Sequence, residues 1–292
     1  MVSDLYNENL NYINEKHHSS NVYLTNNYQK IINSKDINLI HICTPNETHF
    51  QICKEALMRN KNVLIEKPMT TNSQEAFELV KIAQENNLIL QTGLIFRFNN
   101  ALTKIKDLVK NNYFGNIYYI KLQWTNLMPA PIGRDIIFDL MPHSIDIINF
   151  LFDEWPNNIS CLSKAYSRNG LEDMAILLAE LNNSKLVQIE VSWLHPRKKR
   201  ELIIIGSSNC AFIDCLNQTI ELYDNEKQLS HDLENKFNNT IKDEILHFIS
   251  SVKNGTNSNN TGYLGAYNVK ILENIKKVAN KNHIFQEKME GL

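Results

Sequence analysis

"NLIHICTP" (38–45), "NETHFQICKEALMRN" (46–60) and "NVLIEKPMTT" (62–71) stand almost end to end in the chain. The first is a nearly continuous apolar run that stops at a Thr-Pro break, the pattern of a strand buried on both faces. The second places Phe50, Cys53, Ala56 and Leu57 at helical spacing, and the third returns to strand formers before ending in Glu66, Lys67 and Pro68. "NSQEAFELVKIAQENN" (72–87) reads as a helix, with Asn72 or Ser73 able to cap it and Glu75 and Glu78 near the positive end of its dipole. "LILQTG" (88–93) closes the series as another strand. Strand, helix, strand, helix, strand with short connections predicts a parallel sheet with right-handed crossovers, half of a doubly wound α/β domain.

Upstream, "NENLNYINEKH" (7–17) reads as a helix, "NVYLT" (21–25) as a short strand and "NYQKIINS" (27–34) as a short helix, all extending the same sheet. Past Gly93 the pattern changes. One helix, "NALTKIKDLVKNN", precedes long alternating strands at 116–126, 173–182, 185–193, 200–207 and 218–224, which predict a large, mainly antiparallel sheet. Two further helices, "DEILHFISSVKN" and "LGAYNVKILENIKKVAN", finish the chain. The expected organisation is an α/β domain over 1–95 and an α+β domain over 96–292.

Lys and Arg number 30 against 32 Asp and Glu, so no basic field exists to hold nucleic acid or an anionic membrane, and small-molecule chemistry is expected. No run of about 18 apolar residues occurs and the first ten residues lack the charged and apolar regions of a signal peptide, which predicts a cytoplasmic protein. The five cysteines are scattered without a C-x-x-C spacing, which argues against a disulfide framework and against a zinc site.

Ligands of parallel α/β sheets bind beyond the carboxyl ends of the strands, which brings "CTPNETH" and "EKP" to the expected crevice. There Lys67 would present its amine, Glu66 could bond a sugar hydroxyl and Pro68 would fix the backbone; a salt-bridged strand end is the plainer alternative. In "FDLMPHSIDIINFLF" (138–152), Asp139 and His143 are four apart and would share one helical face as an acid–imidazole dyad. Capping by Asp139, with Pro142 in the first turn, is the competing reading. The basic run "HPRKKR" (195–200) could meet a diphosphate, or be no more than a solvated strand end or turn.

"CTPNETH", "VLIEKPMTT", "TGLIFRFN" and "DLMPHSID", in this order and spacing, resemble the Gfo/Idh/MocA family of NAD(P)-dependent sugar dehydrogenases from about residue 2 to the end. Within it, "GLIFRFN", "DLMPHSIDI" and "VSWLHPRKKRELIIIGS" look most like the UDP-N-acetylglucosamine 3-dehydrogenase branch. The resemblance implies a Rossmann-type domain followed by an α+β domain, and an oxidoreductase that moves a hydride from a sugar or nucleotide-sugar hydroxyl to NAD or NADP. It makes Lys67 the catalytic lysine and Asp139 with His143 the pair that removes the proton. It places Thr44, Pro45, His49 and Glu66 beside nicotinamide and ribose, Asp4 on the adenosine ribose, and Arg97, Asn99 and Asp146 on the substrate side. No metal is implied. A homo-oligomer is expected from the open face of the large sheet.

The family's G-x-G-x-x-G turn has no counterpart, because the first glycine of the chain is Gly93. An N-terminally shortened family member, lacking its first strand and phosphate loop, is therefore expected. In the order 3-2-1-4-5-6 that strand is central, so its omission leaves strands two and four without their shared partner. The alternative function is a non-catalytic relative that binds a sugar ligand.

Overall fold

The computed structural model describes residues 1–16, 22–129, 134–167, 170–256 and 258–281. They form two compact units, Met1–Gly93 with Leu246–Ala266, and Leu94–Ile245 with Tyr267–Leu292.

In the first unit, β1 (Val2–Ser3), α1 (Asn7–Lys16), β2 (Leu24–Thr25) and α2 (Gln29–Ile32) precede β3 (Leu39–Ile42), α3 (Asn46–Met58), β4 (Asn62–Glu66), α4 (Ser73–Glu85) and β5 (Leu90–Gly93). β4 lies between β3 and β5 with both pairings parallel. Its Val63, Leu64 and Ile65 are fully buried, so successive side chains are covered on both faces as the unbroken apolar run demands. Each such burial is worth about 1.5–3 kcal/mol. α3 packs on β3, β4 and α4 through Cys53, Ala56 and Leu57. Of the two candidate caps for α4, Asn72 is the one in use, accepting the Glu75 amide at 2.9 Å.

The upstream strands do not extend this sheet. β1 and β2 pair in parallel with each other as a separate two-stranded sheet, with Val2 opposite Leu24. Among the described residues no strand lies between β1 and β3 to carry the ladder across, which is why one expected sheet becomes two. The end of the predicted helix, His17, and the first residue of the predicted strand, Asn21, lie outside the described residues.

Residues 246–266 belong with this unit, whereas linear reading assigned everything after residue 95 to the second domain. The reason is a set of contacts remote in sequence. The Thr92 amide donates to Asn260 O at 3.0 Å and Ser258 Oγ donates to Gln91 Oε1 at 2.5 Å, all in the buried interior. Gly262 and Gly265 allow this approach, since a Cβ at 265 would stand 2.1 Å from Thr92 Oγ1.

In the second unit, a 3-10 turn (Ile95–Phe98) leads to α5 (Asn100–Lys110), β6 (Ile117–Leu127), α6 (Ile136–Asp139) and α7 (Met141–Phe152). β7 (Asn157–Lys164), β8 (Met174–Leu181), β9 (Lys185–Ser192), β10 (Leu194–Gly206), β11 (Asn209–Asp214), β12 (Thr219–Asp224) and β13 (Leu229–Asp232) follow. α8 (Thr240–Asn254) and α9 (Gly262–Lys281) end the described chain.

The sheet has eight strands in the order β13-β12-β11-β10-β6-β9-β8-β7. All pairings are antiparallel except β6 with β9. β7, β11 and β13 are additions to the expected set; β7 is polar enough ("NNISCLSK") to hide its single-sided burial at Cys161. "HPRKKR" lies within β10 rather than in a turn. One sheet face carries Ile120, Leu122 and Trp124 of β6, Val187, Ile189 and Val191 of β9, and Ala175, Leu177 and Ala179 of β8, which join α5 and α7 in one core. The opposite face leaves Leu162, Ile176, Leu178, Leu186 and Phe212 exposed. No described helix is long and apolar enough to cross a membrane.

Gly265→Ala forces a methyl group into Thr92 and should lower stability by about 1–3 kcal/mol, read by urea denaturation. Faster amide exchange should accompany it along Leu90–Gly93, which a purely local effect on α9 would not give.

Candidate active site

Pairing of Ile42 with Ile65 brings the ends of β3 and β4 to the same level. Beyond β3, Thr48 Oγ1 lies 2.7 Å from both Thr44 Oγ1 and Pro45 O, fixing the turn that enters α3. Thr44 is half-buried and Pro45 exposed. Beyond β4, half-buried Lys67 is followed by buried Pro68, Met69 and Thr70, and the Lys67–Pro68 peptide is cis.

His49, expected beside the cofactor, is fully buried. Its Nδ1 lies 3.0 Å from Pro68 O and its Nε2 2.8 Å from Thr44 O. Both ring nitrogens therefore face backbone carbonyls. The residue ties the two strand-end loops together.

Glu66 Oε1 is 3.3 Å from His41 Nε2. On its other side, β5 presents Gly93, where a Cβ would come within 2.9 Å of Glu66 Oε2; the absence of a side chain there leaves room for the carboxylate. Burial acts to lower the His41 pKa, but the hydrogen bonds and charges of Cys43 and Glu66 outweigh it and lift it to about 10. Asp4 directly follows β1, its amide donating to Thr25 O at 3.2 Å. Its Oδ1 accepts the Tyr6 amide at 2.8 Å and its Oδ2 accepts Asn9 Nδ2 at 3.0 Å, so it organises the entry to α1; each carboxylate oxygen retains capacity for another donor.

In the second unit, Asp139 and His143 do not share one continuous helix. α6 ends at Asp139, Leu140 intervenes, and α7 begins at Met141 with Pro142 in its first turn. Pro142 has no amide to donate to residue 138, and its ring crowds that carbonyl, which interrupts the helix between the two residues. The helix cap is Asp135, whose Oδ1 accepts the Phe138 amide at 3.0 Å. Asp139 is mostly buried, with Oδ1 3.8 Å from Arg134 Nη1.

Burial pushes the Arg200 guanidinium down and the charge of Asp139 opposes that shift. Arg200 Nη1 donates to Thr125 O at 2.9 Å and to Lys199 O at 2.7 Å, and its guanidinium stands 5.9 Å from the Trp124 ring. Arg134 was absent from the sequence reading, although its place five residues before Asp139 was the available signal. Half-buried His143 meets Phe96 edge to face at 5.2 Å, and Phe96 meets Trp124 in the same way at 5.3 Å.

Arg97 and Asp146, both expected on the substrate side, bond each other. Arg97 Nε and Nη2 reach Asp146 Oδ1 at 2.8 and 2.7 Å, and Nη2 also donates to Asn149 Oδ1 at 2.7 Å. Their side chains are 9% and 2% exposed. Burial pushes the Asp146 carboxyl up, and the Arg97 charge and hydrogen bond oppose it. Asn99 is also buried: its Oδ1 accepts the Leu102 amide at 3.2 Å to cap α5, and its Nδ2 donates to Cys215 O at 3.0 Å. Within the second unit these bonds tie the three residues to α5 and α7.

Thr44, Pro45, Glu66 and Lys67 stand at the carboxyl ends of β3 and β4, the side of a parallel α/β sheet on which ligands bind. Residues 1–92 contain no glycine, so no glycine-rich turn lies among them.

Residues 2–94 match the description "Oxidoreductase family, NAD-binding Rossmann fold", and residues 102–211 match the "GFO/IDH/MocA C-terminal domain". The two matches give a Rossmann-type domain of an NAD-binding oxidoreductase family followed by that family's C-terminal domain. The chain belongs to the Gfo/Idh/MocA family.

It is 29% identical to the UDP-N-acetylglucosamine 3-dehydrogenase of Acidithiobacillus ferrooxidans over 189 residues, 64% of this chain and 59% of that protein. It is 28% identical to an inositol 2-dehydrogenase of Rhodococcus jostii over 162 residues, 53% of this chain and 44% of the relative. The matched part thus spans less than two thirds of the length of either relative. The solved structure of the Acidithiobacillus enzyme superposes with a TM-score of 0.84 at 22% identity, covering 95% of this chain and 88% of that one. An aldose-aldose oxidoreductase from Caulobacter crescentus gives 0.85 at 15%, over 95% and 88%. At these identities the likeness of structure is one of fold.

Asp146→Ala leaves the Arg97 guanidinium buried and unpaired, and should destabilise the protein by about 3–5 kcal/mol in denaturant unfolding. Asp146→Asn, which retains an acceptor, should cost less.

Proposed function

We propose that the protein oxidises a secondary hydroxyl of a sugar or nucleotide sugar, with C3 of UDP-N-acetylglucosamine as the first substrate to try. The observation that carries this reading is Lys67, at the carboxyl end of the central strand β4, in a chain of this family with a UDP-N-acetylglucosamine 3-dehydrogenase among its relatives. NAD or NADP, when bound, supplies the hydride acceptor. In the proposed roles, Lys67 hydrogen-bonds the reacting hydroxyl and favours its deprotonation, and His143 takes the proton. Asp139 stabilises the resulting imidazolium. Thr44, Pro45 and Glu66 form the nicotinamide and ribose side, with His49 holding the two loops in place; Asp4 serves the adenosine ribose.

The basic stretch of β10 and its neighbours favour an anionic sugar. Arg197 and Lys198 are exposed on that strand, and guanidinium and ammonium groups suit a diphosphate. The exposed Leu162, Ile176, Leu178, Leu186 and Phe212 support self-association through the open sheet face, and the absence of a membrane-length described helix is consistent with action in the cytoplasm.

A second reading is a relative that binds the sugar without turning it over. The two separate on one set of measurements. Incubation with NAD or NADP and UDP-N-acetylglucosamine should give absorbance of reduced nicotinamide. Binding of the sugar in calorimetry without any such absorbance supports the second reading. Lys67→Met should abolish turnover while leaving cofactor affinity within about twofold, since the interaction removed is one made with the reacting hydroxyl. Retained turnover in that variant removes Lys67 from the mechanism.

A further inference from the structure

We propose that His41, Cys43 and Glu66 form a binding site for a divalent transition-metal ion, with zinc as the matching element. The ligand atoms of the three residues all lie within 4.8 Å of one another. Imidazole, thiolate and carboxylate together are the donor set that zinc takes, and three protein ligands with solvent in a fourth position is a common arrangement for it. Ligands at about 2.0–2.2 Å from a tetrahedral ion stand about 3.3–3.6 Å apart. His41 Nε2 and Glu66 Oε1 are already 3.3 Å apart, the edge of such a tetrahedron.

Two of the three ligands, His41 and Glu66, stand on paired strands. His41 lies in β3 and Cys43 directly after it, two residues on and so on the same face of the sheet. The pairing of Ile42 with Ile65 then sets Cys43 beside Glu66, the last residue of β4. Gly93 on the next strand gives the Glu66 carboxylate its room, leaving Oε2 turned away from the His41 pair. The His41 and Glu66 side chains are 29% and 34% exposed and Cys43 is exposed, so an ion can enter and water can complete its coordination. Cysteine spacing inspects neighbours in sequence and does not reach this group, since His41 and Glu66 are 25 residues apart.

The test uses the full chain without a histidine tag, treated with a chelator and titrated with Co2+ and then Zn2+. One equivalent of Co2+ should bind with a thiolate-to-cobalt charge-transfer band in the near ultraviolet, and Zn2+ should displace it. Cys43→Ser should lose the band. His41→Gln and Glu66→Gln should each weaken Zn2+ binding at least about tenfold, as a lost ligand does, with circular dichroism reporting that the fold is kept. Absence of the band in the wild type, or its survival in Cys43→Ser, overturns the proposal. Should a variant fail to fold, alkylation of the wild-type chain read by mass spectrometry decides: Zn2+ should protect Cys43, and unchanged labelling of Cys43 overturns the site.

Discussion

The register of β4 against its neighbours is the constraint on which the first unit depends. Ile42 opposite Ile65 and Glu66 opposite Gly93 decide which residues stand together where the parallel strands end. A shift of one residue would turn Val63 and Ile65 to the opposite face and carry Glu66 and Lys67 with them. Such a shift is penalised by the close packing of Val63, Leu64 and Ile65 and by the half-buried Asn62 and Glu66 at the two ends of the strand, one of which it would carry inward. Chemistry at the strand ends is therefore set by packing at the strand centres.

A different device steadies the second unit. Arg97 and Asp146 are closed off from water and held by Asn149, so their positions define how the turn at Ile95–Phe98 meets α7. A buried pair of this kind adds little net stability compared with apolar residues, yet the loss of one partner is costly, which favours one arrangement over its competitors. Phe96, next in the chain to Arg97, thereby keeps its ring between His143 and Trp124. The Pro142 interruption places Asp139 on the short α6 beside Arg134, while His143 remains on α7.

Much of the architecture was legible because burial leaves a period in the sequence. The apolar runs at β3, β4 and β5 and the alternation in β6, β8 and β9 each report which faces are covered. The less visible elements had weaker signals for physical reasons. β7 buries Cys161 amid exposed polar residues, and residues 246–266 join the first unit through contacts that depend on two glycines and on hydrogen bonds at Gln91 and Thr92. The candidate site was legible in part. Lys67 and Glu66 could be read as strand-end residues, whereas the engagement of Arg97, Asp146 and Asn99 inside the protein could not be foreseen, because their partners lie 49, 49 and 116 residues away.

The sequence by itself determined the succession of strands and helices, the families of residues at their ends and the absence of a glycine before residue 93, since each is a local property of composition and spacing. Only the tertiary structure decided that the α/β strands form two sheets, that His49 serves two backbone carbonyls and that His41, Cys43 and Glu66 meet. Those outcomes depend on which strands lie side by side and in what register, and pairing between segments distant in the chain is a property of the folded whole.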